Sequence, residues 1–180
     1  MSLVRRATPA DAAELVRLRK VMLDASHGPD PDTGWQPAAL RTLRERLADP
    51  DGDLAAFVVD RPARPSRPGD GAGARDRTEP TAPEDTPPPL VSCAVGTIEH
   101  RLGSPGDPSG AGGHLFNVAT DPDARRQGHS RACVAALLEW YRTRGIRKID
   151  LHATPEAEPL YISLGFTRTT APAMRLRRIR

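Results

Sequence analysis

The chain of 180 residues is short of several things, and each shortage removes a class of protein. It has two cysteines, Cys93 and Cys133, both in apolar stretches, so buried thiols are expected in place of a disulfide framework or a thiolate metal site. No group of His, Cys, Asp and Glu has metal-ligand spacing, and no metal is expected. No apolar run approaches ~18 residues and Met1-Ser2-Leu3-Val4-Arg5-Arg6 lacks the apolar stretch of a signal peptide, which points away from the membrane and to a cytoplasmic location. Lysine is nearly missing, with Lys20 and Lys148 alone among 26 basic residues, a compositional bias and not a functional choice. The net charge is only +3 and the arginines are spread along most of the chain, so nucleic acid is not expected as a partner. Acidic small ligands remain open.

What is abundant is local. Nineteen Pro and 15 Gly exceed ordinary usage, and eight of those Pro fall between Arg61 and Pro89 together with three Gly. Besides proline, the only apolar side chains of that tract are four alanines, too little buried surface to offset the entropy of ordering it. We read 61–89 as a disordered insertion within one domain spanning 1–180, the alternative being a linker between two domains. The first 60 residues are few for a separate domain.

Around the tract the chain alternates between strand and helix patterns. Leu3 to Ala7 reads as a short strand; Thr8-Pro9-Ala10-Asp11 reads as a helix start, with Thr8 as N-cap, Pro9 first in the helix and Asp11 near its positive end. Leu15, Leu18 and Met22 form one stripe, Ser26 to Trp35 a loop, and Pro37 to Ala48 a second helix with Leu40, Leu43 and Leu47 on one face. Leu54 to Val59 and Leu90 to His100 are strands expected to pair across the tract, and His114 to Thr120 is another. Val134, Leu137, Leu138 and Tyr141 mark a helix face, Gly145 its end, Ile146 to His152 a strand, and Pro155 the start of a short helix. Strand, helix and strand in succession imply a parallel pair, whereas the earlier strands are more naturally antiparallel. Phe166 to Thr170 and Ala173 to Leu176 read as weak final strands.

The stretch behind Asp121 carries the chemistry. Arg125-Arg126-Gln127-Gly128-His129-Ser130 opens a helix directly after a strand. Gly128 lets the backbone turn, the first helical N–H groups lack partners, and Arg125, Arg126 and Arg131 surround them with positive charge. Such an end suits a pyrophosphate. The plain alternative is a solvated basic loop that caps a surface helix.

Arg125, Gly128 and Ser130 at this spacing, followed about 30 residues later by Glu158-Pro159-Leu160-Tyr161-Ile162-Ser163-Leu164-Gly165-Phe166, resemble the two motifs of the GCN5-related N-acetyltransferase (GNAT) superfamily. The resemblance implies an α/β (α+β) fold: a mixed, mainly antiparallel central sheet flanked by helices, with a parallel pair splayed at a cofactor cleft. It implies acetyl-coenzyme A as co-substrate. Backbone groups of Asn117, Val118, Ala119 and Thr120 would meet its pantetheine arm, and amides of Arg126, Gln127, Gly128, His129, Ser130 and Arg131 its pyrophosphate. Tyr161 would be the general acid for the departing thiolate, although spacing alone would also fit a packing residue. Ser130 stands where the family usually has Gly or Ala, and its hydroxyl could add a hydrogen bond. Thr154 stands where many members have Asn, which weakens an expected cofactor contact.

A thioester is already activated, so transfer needs only a neutral amine, a polarised carbonyl and a proton for sulfur. Glu99 is taken as the base, with His100 and His114 as alternatives, and His152 sits near the cleft without an identified partner. The implied acceptor is a primary amine on a small molecule or peptide, and a homodimer is left open. Two other classes compete: a non-catalytic coenzyme A-binding module on the same fold, and a nucleotide phosphate loop, disfavoured because no Lys-Ser/Thr pair follows Gly128.

Overall fold

The computed structural model describes residues 3–62, 88–170, 172–174 and 176. Five strands form one sheet in the order β1 (Val4–Arg6), β2 (Leu54–Asp60), β3 (Leu90–His100), β4 (Ala111–Thr120) and β5 (Ile149–Leu151). The first three pairings are antiparallel and β4 with β5 is parallel. The mixed, mainly antiparallel sheet flanked by helices is therefore the observed architecture.

Four α-helices flank it: α1 (Ala12–His27), α2 (Gln36–Leu47), α3 (His129–Thr143) and α4 (Glu158–Ile162). One face is covered by α3, whose Val134, Leu137 and Tyr141 pack with Ala94, Ile98 and Leu115 of the sheet. On the other face, Leu15 and Leu18 of α1 pack with Val58, Cys93, Val95 and Ala119. This division explains why β3 is apolar almost throughout: a strand buried on both faces shows no alternation.

Several expected boundaries move. Helix α1 continues to His27 and ends at Gly28, φ 88°, so the loop starts two residues late. Only Ile149–Leu151 of the stretch expected as a strand from Ile146 pairs, because β4 meets it over three residues. The two final strands do not form: among the described residues, those after Leu164 lie in no strand. Their apolar content is thin, and Met174 and Leu176 are exposed.

The insertion falls, for residues 63–87, outside the described residues. Its roots are ordered neighbours. The Arg61 N–H donates to the Pro89 carbonyl at 2.7 Å, and β2 pairs with β3 over their length, so the tract leaves and re-enters one hairpin.

Candidate active site

The parallel pair comes apart where the site begins. Gly113, His114 and Leu115 pair with Ile149, Asp150 and Leu151, after which β4 runs on to Thr120 with no β5 partner. Between Val95 and Gly96 the register against β4 shifts, so Phe116 is an extra residue opposite an unbroken β3. The bulge changes which face each residue serves: Leu115 packs on the α3 side, whereas Asn117 lies against Cys93, whose packing is with α1. Asn117 is buried, and its Oδ1 has no hydrogen-bond partner among the described residues.

Behind the bulge sits a brace that the sequence did not reveal. The Tyr141 hydroxyl lies 3.1 Å from the Thr97 carbonyl and 3.0 Å from that of His114, two residues paired across the ladder. Room for its ring comes from two glycines. A Cβ on Gly96 would stand 2.1 Å from the Tyr141 hydroxyl, and one on Gly113 would stand 2.8 Å from its Cε1. Burial pushes the phenol of Tyr141 well up, so it stays protonated as a donor.

After Thr120 the chain makes a 3-10 turn, Pro122–Ala124, and then the loop into α3. Asp121 anchors the turn: its buried carboxylate accepts from Arg17 of α1 at 2.7 and 3.1 Å and from Arg61 at 2.7 Å. Asp123 also accepts from Arg61, at 2.7 Å. Arg126 is the one non-glycine residue of positive φ among those described, at 61°, and Gly128 follows at 83°. Gly128 is the N-cap and supplies no side-chain bond, so the start of α3 carries no side-chain cap. A Cβ at Gly128 would meet no atom within 4 Å, so the space above the turn is open.

Arg125 and Arg126 are exposed beside this end, and Arg131 reaches α4, donating to Ser163 Oγ at 2.5 Å. The Gln127 and His129 side chains meet at 3.3 Å. The Ser130 hydroxyl, expected to be available for a ligand, pairs with Thr120 Oγ1 at 2.6 Å, and Thr120 Oγ1 lies 2.7 Å from Ser92 Oγ. A short file of hydroxyls thus ties the start of α3 to the buried sheet. Thr154 is exposed, and its carbonyl accepts from the N–H groups of Ala157 and Glu158.

Tyr161 lies on α4, buried among the α3-side residues with Phe166 edge-on at 5.8 Å between centroids. Its hydroxyl has no hydrogen-bond partner among the described residues, and burial raises its pKa. The proposed base Glu99 is exposed, accepts from Arg101 at 2.8 Å, and is in register with Gly112, near the start of β4. It lines a cavity of about 290 Å³ with Asp150, Lys148 and residues of the loop between β3 and β4, among them Arg101, Ser104 and Asp107. His100 is exposed at the end of β3. His114, half-buried, lies against Phe116, stacked at 6.0 Å, and against His152, edge-on at 6.1 Å. That contact supplies the neighbour of His152 that spacing alone could not name.

The features fit an extended anionic cofactor: an uncapped helix start for phosphates, then an unpaired strand edge for amide groups. Among the described residues no group of three or more His, Cys, Asp and Glu could hold a metal ion, and no helix is long and apolar enough to cross a membrane.

Comparison with known proteins places this site in context. Residues 76–166 match the model of the acetyltransferase (GNAT) family. A ribosomal-protein-alanine N-acetyltransferase of Escherichia coli is 41% identical over 59 residues, covering 31% of this chain and 40% of that protein. A mycothiol acetyltransferase of Thermobispora bispora is 40% identical over 65 residues, 34% of this chain and 22% of that protein. The chain thus spans well under half the length of these curated relatives. Among solved structures, a predicted acetyltransferase with acetyl-CoA from Clostridium acetobutylicum superposes with a TM-score of 0.72 at 20% identity, over 98% of this chain and 96% of that one. A GCN5-related N-acetyltransferase from Ralstonia eutropha superposes with a TM-score of 0.71 at 22% identity, over 98% and 99%.

Proposed function

Because the chain belongs to the acetyltransferase (GNAT) family, we propose that it moves an acetyl group from acetyl-coenzyme A directly to a primary amine of a small molecule or peptide. The observation that carries this reading is the uncapped, left-handed start of α3 set directly behind a strand edge that β5 leaves open. An anion at Gly128 to Arg131 would meet the positive end of α3, and backbone groups of Asn117 to Thr120 on the side that β5 leaves open would hold the arm that leads to the thioester. Thr154, at the far side of the opening, would add at most a peripheral contact.

In this reading Tyr161 is the general acid. Its phenol is held protonated by burial and, among the described residues, is not spent on another partner, which suits a donor waiting for a thiolate. Residues 1–180 would act as one domain, with 61–89 inserted at the β2–β3 connection. Two free, buried thiols, Cys93 and Cys133, accord with a reducing cytoplasm; burial raises both, Cys133 to about 12, which favours direct transfer over a relay through either thiol.

Calorimetry with acetyl-coenzyme A, coenzyme A and ATP tests the cofactor, and thiol release with polyamines, aminoglycosides, amino acids and peptide N-termini tests turnover. Binding without release to any amine would leave a coenzyme A-binding module. For Tyr161→Phe the expected result is unchanged cofactor affinity and turnover lower by roughly 10²-fold, the usual size of a lost general acid. Undiminished single-turnover transfer across the pH range would make Tyr161 a packing residue.

A further inference from the structure

We propose that His114 and His152 together form the proton-accepting wall at the acceptor side of the cleft, a reading that rests on acetyl transfer as proposed above. The placement follows from the register. Ile98, Leu115, Ile149 and Leu151 pack with the α3-side core, so alternation turns Thr97, Glu99, His114, Asp150 and His152 to the opposite face. His152 is the first residue of the β5 side past the last pair, Leu115 with Leu151, and therefore stands where the two strands part. His114 is one pair back on the neighbouring strand, and Phe116, the bulged residue, stacks on its ring.

The two imidazoles are arranged as a site and not as a mutual contact. With centroids 6.1 Å apart and planes at 68°, no nitrogen of one ring can reach the other within hydrogen-bond distance, so a small donor fits between them. Neither ring has a hydrogen-bond partner among the described residues, although His114 is half-buried and such polar groups are ordinarily satisfied. Two acceptor rings on one side of the opening suit a protonated primary amine. Glu99 suits it less: its carboxylate is held by Arg101, and its register partner Gly112 lies two residues further from the opening than His114.

The charged surroundings agree. Asp150 is the register partner of His114, with Lys148 at 3.8 Å from it, and Glu99 with Arg101 form the next row outward. From α1, Arg17 and Lys20 are occupied by Asp121 and Asp24, while Arg19 sits beside Leu18 on the flank of the buried stripe.

The protons balance as follows. One N–H bond of the ammonium breaks and an N–H bond forms on imidazole, which leaves a neutral amine whose lone pair attacks the thioester carbon. As the C–S bond breaks, sulfur takes the Tyr161 proton, and a second proton leaving nitrogen restores the phenol. The third stays on the amide, and the imidazolium returns its proton to water.

The test uses S-bromoacetyl-coenzyme A, whose electrophilic carbon sits beside the thioester position: an imidazole N–C bond forms and bromide leaves. Labelling of the full chain should map by mass spectrometry to His114 or His152, and excess coenzyme A should suppress it. The double variant His114→Gln, His152→Gln should keep coenzyme A affinity within about threefold and lose labelling at least tenfold. Its turnover with the best amine of the panel should fall roughly 10²-fold near neutral pH and recover as the amine itself deprotonates at higher pH. Should the double variant not fold, His152→Gln alone, at an exposed strand end, gives the same readouts. A label at Glu99 or elsewhere in protein that binds coenzyme A, or a variant with the parental pH–rate profile, overturns the assignment. Absent coenzyme A binding in calorimetry would instead refute the acetyl-transfer reading, and this assignment with it.

Discussion

Two helices of this protein begin in opposite ways. Ahead of α1 the chain makes a 3-10 turn, Pro9–Asp11, that supplies its own anion: the Ala12 N–H donates to the Pro9 carbonyl, the Asp11 carboxylate accepts from the Thr8 N–H at 2.8 Å and from the Thr8 hydroxyl at 3.2 Å, and Arg5 closes over it with bonds of 2.7 and 2.8 Å. At the start of α3 no acidic residue stands in the first turn, and the residues nearby are exposed arginines and a left-handed glycine. A helix end that carries its own anion is a structural joint, whereas one that carries none has room for an anion from outside. The same polarity thus serves the core at one end of the chain and the cofactor, as proposed, at the other.

If that contrast holds, substitutions at the two ends should separate stability from binding. The largest effect is expected at Asp11. Asp11→Ala leaves the half-buried Arg5 with Asp60 alone and exposes the α1 start, costing about 3–5 kcal/mol, with coenzyme A affinity unchanged in whatever protein remains folded. Denaturant titration beside calorimetry separates the two quantities, and an equal loss of both would end the distinction. The pH dependence follows the same group. Burial pushes the Asp11 carboxyl up, but the Arg5 and Thr8 hydrogen bonds outweigh it and hold its pKa below the usual value. A lowered carboxylate contributes stability that is present above about pH 4 and lost as pH falls through the folded value. Parental protein should therefore lose stability on acidification that Asp11→Ala does not.

Gly128→Val should do the reverse. A β-branched residue at φ 83° costs of order 1–3 kcal/mol, and since no atom lies within 4 Å of the new Cβ, the strain falls on the loop and not on the core. The expected result is coenzyme A affinity lower by roughly 10-fold or more, with a melting temperature shift of a few degrees. Arg125→Ala should act more weakly still. Its guanidinium is exposed, with one long contact of 3.4 Å to the Thr120 carbonyl, so it contributes chiefly through charge. About 1 kcal/mol of binding should disappear at low salt and less at high salt; an effect independent of salt would assign Arg125 a structural part in the loop.

The legibility of these features in the chain followed the range of the interactions behind them. The Thr8-to-Asp11 start, the Gly128 turn and the stripes of α1 and α3 rest on residues within one or two helical turns of each other, and sequence reading located them. Arg5 on Asp11 and Asp60 was invisible because Asp60 is 55 residues from Arg5. Phe116 gave no sign of its bulge, since a bulge is a relation between two strands and not a property of one. Gly96 and Gly113 looked like ordinary strand residues until Tyr141 was seen to occupy the volume their side chains would need. The two final strands, Phe166 to Thr170 and Ala173 to Leu176, were read as weak ones, and a single segment cannot show whether a partner edge exists. His114 and His152 were each recognised as candidates, yet only the β4–β5 register brings them together.

The smallest effect is expected from the largest change. Replacing 63–88 with about six Gly/Ser residues keeps both anchors that tie the β2–β3 connection to the site: Arg61 on Asp121 and Asp123, and the Arg61 N–H on the Pro89 carbonyl. The composition of the removed stretch offers almost no apolar surface to a core, so deletion should forfeit no packing. What remains is loop closure. Shortening the connection from about 26 to six residues lowers the closure entropy by roughly 1 kcal/mol in favour of the folded state, and for a chain of this size that corresponds to an upward shift of about 2–4 °C. Coenzyme A affinity should not move, because the Arg61 contacts that hold the turn into α3 are retained. A melting temperature lower by ten degrees would mean that 63–88 docks on the folded protein after all, and weakened cofactor binding at unchanged stability would mean that it takes part in the site at the start of α3.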